Sequence, residues 1–95
     1  MVIEAKSKLK MLDMIVDSVS RQYECRANNG CHIHTYANMK NTARASLTLL
    51  KRAIETDYDD AQLTRVLVQA ERTINDFTAW VGVLLTEPEY YDYEK

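Results

Sequence analysis

Apolar side chains recur at three- and four-residue steps along most of this chain. Near the N-terminus the repeating positions are Leu9, Leu12, Ile15, Val16, Val19 and Tyr23. The middle of the chain has the same spacing at Met39, Ala43, Leu47, Leu50 and Ile54. It returns at Leu63, Val66, Leu67, Ala70, Ile74, Phe77, Val81 and Leu84. Such spacing is typical of amphipathic helices and predicts three of them, over about residues 3–24, 37–56 and 59–86.

The breaks between these stretches contain residues that end and begin helices. RANNG, at 26–30, contains Asn and Gly, which tolerate the left-handed conformation found at helix ends. Asp59 has Gln62 three residues on, which is a capping-box arrangement for the third helix. Pro88 ends that helix, because the residue before a proline is disfavoured in the α conformation. We expect an all-α fold in which the second and third helices form a long antiparallel hairpin.

The size of the chain is consistent with one domain. Its 95 residues contain only two Gly and one Pro, which favours a few long helices over many strands joined by turns. We place a single helical domain at 1–87 and an acidic, tyrosine-rich tail at 88–95. A chain this short buries a modest core, to which a partner chain, a metal ion or a disulfide would add stability.

Charge and hydropathy narrow the classes of partner. The formal net charge of −2 argues against a DNA-coating protein, because there is no overall basic excess to displace counterions. The longest apolar run, residues 79–85, is too short to cross a bilayer, and the charged N-terminus lacks the core of a signal peptide. We therefore expect a cytoplasmic protein with no membrane association and with free thiols.

The end of the third helix is apolar on more than one side. In FTAWVGVLL, Phe77 and Leu84 continue the stripe that faces the core, whereas Trp80 and Val83 lie on another side. A helix that is apolar all round is buried on several sides, and an exposed patch of this kind marks an association surface. We predict a homo-oligomer whose interface includes Phe77, Trp80, Val83 and Leu84. Coverage of this side by the first helix is the alternative.

A short stretch between the first two helices, CHIHTY, contains several groups that bind metals. Two thiols and two imidazoles suit zinc, and the candidates are Cys25, Cys31, His32 and His34. Structural zinc sites usually pair cysteines two to four residues apart, whereas here five residues intervene. We do not expect a metal, and a zinc-stabilised site stays open as an alternative.

The sequence contains no recognisable catalytic motif. There is no Gly-rich phosphate loop, no G-x-S-x-G turn and no H-E-x-x-H pair. Cys31 beside two histidines has the elements of an activated nucleophile, but sequence neighbours on a loop rarely have the required geometry. We expect a protein that is not an enzyme and needs no cofactor.

The second helix has a basic stripe that fits an anionic ligand. Lys40, Arg44 and Lys51 project within about 40° of one another at 100° per residue. Before them come three side chains able to stack on a base or to donate hydrogen bonds: His34, Thr35 and Tyr36. Aromatic stacking and lysine–phosphate contacts both contribute to nucleotide binding. A solvated helix face with local ion pairs is the alternative.

These residues also resemble a known family. HTY at 34–36, LLKRA with Lys51 fifteen residues after Tyr36, AERTINDFTAW at 70–80, and EP with Pro88 are similar to small phage proteins that counter CBASS immunity. Those proteins are sponges, which bind and hide cyclic oligonucleotide messengers, and a related hairpin domain occurs in anti-Thoeris sponges. The similarity covers about residues 34–90.

The resemblance implies a specific site and assembly. A cyclic di- or trinucleotide would be held in the host cytoplasm by an interlocked homo-oligomer, of which a hexamer is one candidate. Tyr36 would stack on a base and Lys51 would bind a phosphate, with Thr35, His34 and Arg44 beside them. Along one helix Tyr36 and Lys51 are about 22 Å apart, so an antiparallel neighbour would have to bring them together.

Another class of function remains open. One alternative is a small helical protein–protein interaction inhibitor that uses the acidic tail and the TDYDD turn at 56–60 to mimic nucleic acid. Another is a small helical adaptor stabilised by zinc. Metal content and ligand titration distinguish these alternatives.

Overall fold

The computed structural model describes residues 1–26, 33–56 and 58–86. They form three α-helices and no strands: α1 (Val2–Arg26), α2 (Ile33–Glu55) and α3 (Asp60–Thr86). The prediction of an all-helical chain with three helices is confirmed. None of the described helices is long and apolar enough to cross a membrane. The tail at 88–95 lies outside the described residues.

Each helix packs against the other two, and the core is formed by the predicted apolar stripes, except that Ile15 is exposed. The largest side chains that are almost completely buried come from all three helices: Tyr23, Leu50, Leu63, Ile74, Phe77 and Val81. Burying a large apolar side chain contributes about 1.5–3 kcal/mol to the free energy of unfolding. Periodicity therefore reflects the packing that stabilises this fold.

The start of α3 is fixed by two reciprocal hydrogen bonds. The Asp59 N–H donates to Gln62 Oε1 at 3.2 Å, and the Gln62 N–H donates to Asp59 Oδ1 at 2.8 Å. The Leu63 N–H donates to the Asp59 carbonyl at 2.9 Å, which is the first bond of the helical pattern. This geometry confirms the predicted capping box.

The start of α2 differs from the sequence-based expectation. The helix begins at Ile33, not at about residue 37, so His34, Thr35 and Tyr36 lie in its first turn and not in an extended connection. The cause is tertiary packing, because Tyr36 is buried against α1 and the helical conformation holds it there. Long-range burial outweighs the weak helix propensity of these residues.

Three aromatic rings join the helices. Tyr23 of α1 and Tyr36 of α2 are stacked, with ring centroids 4.0 Å apart and an angle of 17° between their planes. Phe77 of α3 lies 6.2 Å from the Tyr36 centroid in a tilted arrangement. Tilted aromatic pairs at the Tyr36–Phe77 distance are favourable beyond the area that they bury. This cluster fixes the end of α1 beside the beginning of α2.

At its other end, α1 is fixed against α3. Lys8 Nζ donates to Glu71 Oε2 at 2.9 Å, and the partly buried Met1 packs against the core. Lys8 points to α3. Lys6 and Lys10, two residues before and after it, lie on the side of α1 that faces α2.

Candidate anion-binding groove

A groove of about 530 Å³ lies between the N-terminal half of α1 and the C-terminal half of α2. Its walls contain four cationic side chains, one carboxylate, one hydroxyl and two leucines: Lys6, Lys10, Arg44, Lys51, Asp13, Thr48, Leu9 and Leu47. We call it the basic groove. Its volume falls within the range of sites that bind small molecules.

Helix geometry explains why these side chains converge. Lys6 and Lys10 are four residues apart on α1, so they project from the same face, one turn above the other. Arg44, Thr48 and Lys51 are spaced by four and three residues on α2 and also share a face. The charged and hydroxyl side chains are exposed, whereas Leu47 is buried and Leu9 half-buried. The leucines therefore form an apolar floor beneath a cationic rim.

The cations of the basic groove have no carboxylate partner among the described residues. Three basic side chains outside the groove are paired: Lys8 with Glu71, Arg21 with Asp17, and Lys40 with Glu24. None of the four groove cations forms an ion pair with any residue in the described ranges. Like charges held together in this way attract an anion.

The two walls run past each other in opposite directions. Glu24, late in α1, contacts Lys40, early in α2, whereas the groove brings the first half of α1 to the second half of α2. Lys6 and Lys51 therefore lie towards one end of the groove, and Asp13 and Arg44 towards the other. The two ends are about 10 Å apart, because Lys6 and Asp13 are seven residues apart on α1, and Arg44 and Lys51 are seven residues apart on α2.

Tyr36 does not belong to this groove. Only 3% of its surface is exposed, and its ring is stacked on Tyr23. Its hydroxyl donates to Glu24 Oε2 at 2.6 Å and also lies 3.3 Å from the Ser20 carbonyl. Burial, followed by the bond to Glu24, raises the pKa of Tyr36 to about 12. Tyr36 is thus a core residue and is not available to stack on a ligand base, contrary to the sequence-based prediction.

Glu24 is the centre of a small polar cluster at the same place. Lys40 Nζ donates to Glu24 Oε2 at 2.6 Å and lies 5.8 Å from the Tyr36 ring centroid. The hydrogen bonds from Lys40 and then Tyr36 hold the pKa of the Glu24 carboxyl below its usual range. Lys40, which the sequence placed on one stripe with Arg44 and Lys51, is therefore used in a bond between helices.

The predicted ligand-binding residues thus separate into two groups. Arg44 and Lys51 lie together in the basic groove. Exposed His34 and half-buried Thr35 lie with Tyr36 at the beginning of α2, away from it. Sequence reasoning missed the contribution of α1, although the spacing of Lys6 and Lys10 was a signal of a shared face.

The metal candidates are only partly described. Cys25 is an exposed free thiol near the end of α1, and His34 is exposed in α2. Cys31 and His32 lie outside the described residues. Within 1–26, 33–56 and 58–86, no group of three or more potential metal ligands comes together.

The residues predicted at an oligomer interface also divide. Phe77 and Leu84 are buried in the core of the single chain, with 1% and 6% of their surfaces exposed. They therefore pack inside the single chain and not at an interface between chains, because they continue the core stripe of α3. Trp80 and Val83 are 45% and 42% exposed.

No known protein family, curated protein or solved structure matches this chain.

Proposed function

We propose that this protein binds a cyclic oligonucleotide messenger and sequesters it without cleaving it, as a phage-encoded sponge acting in the host cytoplasm. The observation that carries the proposal is the basic groove, in which four cations, none of them paired with a carboxylate in the described part of the chain, surround an apolar floor. A cyclic dinucleotide has the complementary parts, since its phosphates are anionic and its bases present flat apolar faces.

We assign separate tasks to the cationic rim of the groove and to its apolar floor. Lys6 and Lys51, with Lys10 one turn further along α1, would bind phosphate oxygens through charge-assisted hydrogen bonds. The half-buried Leu9 would pack against a base, with the buried Leu47 beneath it. Lys51 would thus bind a phosphate, as the resemblance implies, whereas the leucine floor and not Tyr36 would contact the base.

Sequestration requires affinity and no chemistry. The Thr48 hydroxyl, the only hydroxyl on the described walls, donates to the Arg44 carbonyl at 3.1 Å and is engaged within its own helix. Cations that neutralise phosphates are sufficient to hold a ligand. When the protein is in excess over a tightly bound messenger, mass action removes the free messenger from solution.

The proposal includes an assembly. The closeness of Tyr36, in the first turn of α2, to Phe77, late in α3, supports an antiparallel α2–α3 hairpin. The exposed Trp80 and Val83 on α3 support self-association of such hairpins into a homo-oligomer. Because the basic groove is built from one chain, the assembly would multiply sites and would not be needed to complete one.

Calorimetric titration with cyclic di- and trinucleotides tests the proposal, with the bound ligand recovered afterwards and its mass measured. We expect binding and intact ligand. Recovery of a linear product would place the protein among the phosphodiesterases. Absence of heat across the panel would overturn the proposal.

A second candidate is a helical module that binds another protein. It is favoured by the outer face of α1, where Met11, Met14 and Ile15 are 59%, 63% and 37% exposed. Methionine-rich surfaces adapt to varied apolar partners. In that case Met14→Asp would abolish partner binding, whereas changes in the basic groove would not.

A further inference from the structure

One end of the basic groove combines an anionic and a cationic side chain. Asp13 on α1 and Arg44 on α2 both line it, both are exposed, and neither forms an ion pair with a residue in the described ranges. A carboxylate here lowers the affinity of the groove for a plain anion. Its presence points to a ligand that carries hydrogen-bond donors as well as phosphates.

Guanine is the base that satisfies both side chains. Its N1–H and N2–H₂ groups lie side by side and donate to the two oxygens of a carboxylate. Its O6 and N7 atoms accept both bonds of an arginine fork, which is the commonest specific contact to this base. Adenine fails on both edges, since N1 is an acceptor that repels a carboxylate, and its other edge has a donor, N6–H₂, in place of O6.

The spacing of the groove is consistent with one nucleotide. Asp13 and Arg44 are about 10 Å along the helix axes from Lys6 and Lys51. This is similar to the distance from the phosphate of a nucleotide to the far edge of its purine. A phosphate between the two lysines would place the base over Leu9 and Leu47 and its polar edges beside Asp13 and Arg44.

We infer that the basic groove selects guanine nucleotides over adenine nucleotides, with Asp13 and Arg44 as the specificity-determining residues. The inference rests on the proposed function, because it assumes that the groove binds a phosphorylated nucleotide. It adds the identity of the base, which cation–phosphate attraction alone does not specify.

Competing titrations with cyclic di-GMP and cyclic di-AMP test the inference. We expect wild-type protein to bind the guanine ligand on the order of ten-fold more tightly or better. Asp13→Asn should reduce this ratio several-fold, although removing a negative charge strengthens the general attraction for both anions. Arg44→Lys keeps the charge and loses the planar fork, so it should reduce the ratio as well.

Asp76→Asn is the matched control, because Asp76 is an exposed carboxylate on α3 away from the groove. Its ratio should equal that of the wild type. Equal binding of the two ligands by wild-type protein, or an unchanged ratio in both groove variants, would overturn the guanine inference and leave sequestration standing. Failure of both ligands to bind would overturn the guanine inference, whereas sequestration is overturned only if the whole panel of cyclic di- and trinucleotides fails to bind.

Discussion

The Tyr36 hydroxyl donates a 2.6 Å hydrogen bond to the carboxylate of Glu24 and thereby joins the beginning of α2 to the end of α1. Lys40 donates to the same carboxylate oxygen. The ring of Tyr36 is meanwhile stacked on Tyr23 in the core. Tyr36, an aromatic residue of the kind that stacks on nucleotide bases, thus holds two helices together.

Alkaline pH should weaken the fold through Tyr36. Its pKa is raised from the ordinary value of 10.0 to about 12, so its contribution is complete below pH 10.0 and is lost as the pH rises through about 12. Tyr36→Phe should lower the free energy of unfolding by about 1–2 kcal/mol at neutral pH. Urea unfolding across this range measures both effects. Parallel losses in wild type and variant would show that Tyr36 is not responsible.

Acid should weaken the bond from the Glu24 side. Hydrogen bonds from Lys40 and Tyr36 lower the Glu24 pKa, so the stabilisation is present above its ordinary value of 4.5 and disappears as the pH falls through the folded value. We expect Glu24→Gln to cost less than about 1 kcal/mol at neutral pH, because the carboxylate is half exposed. The difference from wild type should vanish in acid. A difference that stays constant with pH would contradict this assignment.

Two adjacent leucines of α2 should differ sharply in their contribution to stability. Leu50 is fully buried, so Leu50→Ala should lower the free energy of unfolding by about 2–5 kcal/mol. Leu49 is 59% exposed, and Leu49→Ala should change it by less than about 1 kcal/mol. Chemical denaturation of both variants gives the comparison. Similar losses would mean that the register of α2 in the core is different.

Lys51 and Arg52 provide a matched pair for the basic groove. Lys51 lines the groove and the neighbouring Arg52 does not. Lys51→Ala should weaken cyclic dinucleotide binding by about 1–3 kcal/mol, as expected when a bond to a charged group is lost. Arg52→Ala should have little effect at physiological ionic strength, because salt screens the interactions of exposed charges beyond about 8 Å. Titration of both variants at two salt concentrations is the measurement, and equal losses would exclude a localised site.

Trp80 should separate assembly from binding. Its exposed ring on α3 is the main apolar group of the proposed interface, so Trp80→Glu should convert the oligomer to monomers. Because the groove is contained in one chain, nucleotide affinity should be retained. Sedimentation and titration of the same sample test this directly. Loss of both properties together would instead favour a site shared between chains.

The helices were predictable because each has a local signal. The apolar period of α3 and the Asp59–Gln62 box are complete within a few neighbouring residues, and the structure confirms both. The early start of α2 was not predictable in this way. It depends on Tyr36 meeting Tyr23 and Phe77, which are distant in sequence, and no periodicity within one segment encodes that contact.

The candidate site was predictable only on one wall. Arg44 and Lys51 share a helix, so their common face followed from spacing. Whether Lys6 and Lys10 join them depends on how α1 packs against α2, which the single-helix pattern does not specify. Lys40 has the right spacing for the groove, but Glu24 diverts it.

The unneutralised cations of the groove have a consequence for how the empty protein behaves in different buffers. Four exposed positive side chains and one carboxylate lie around a small volume, and such a cluster attracts multivalent anions. We therefore expect inorganic phosphate or sulfate to raise the melting temperature and to compete with the proposed nucleotide ligand. The affinity measured for that ligand would then depend on the buffer anion as well as on the ligand.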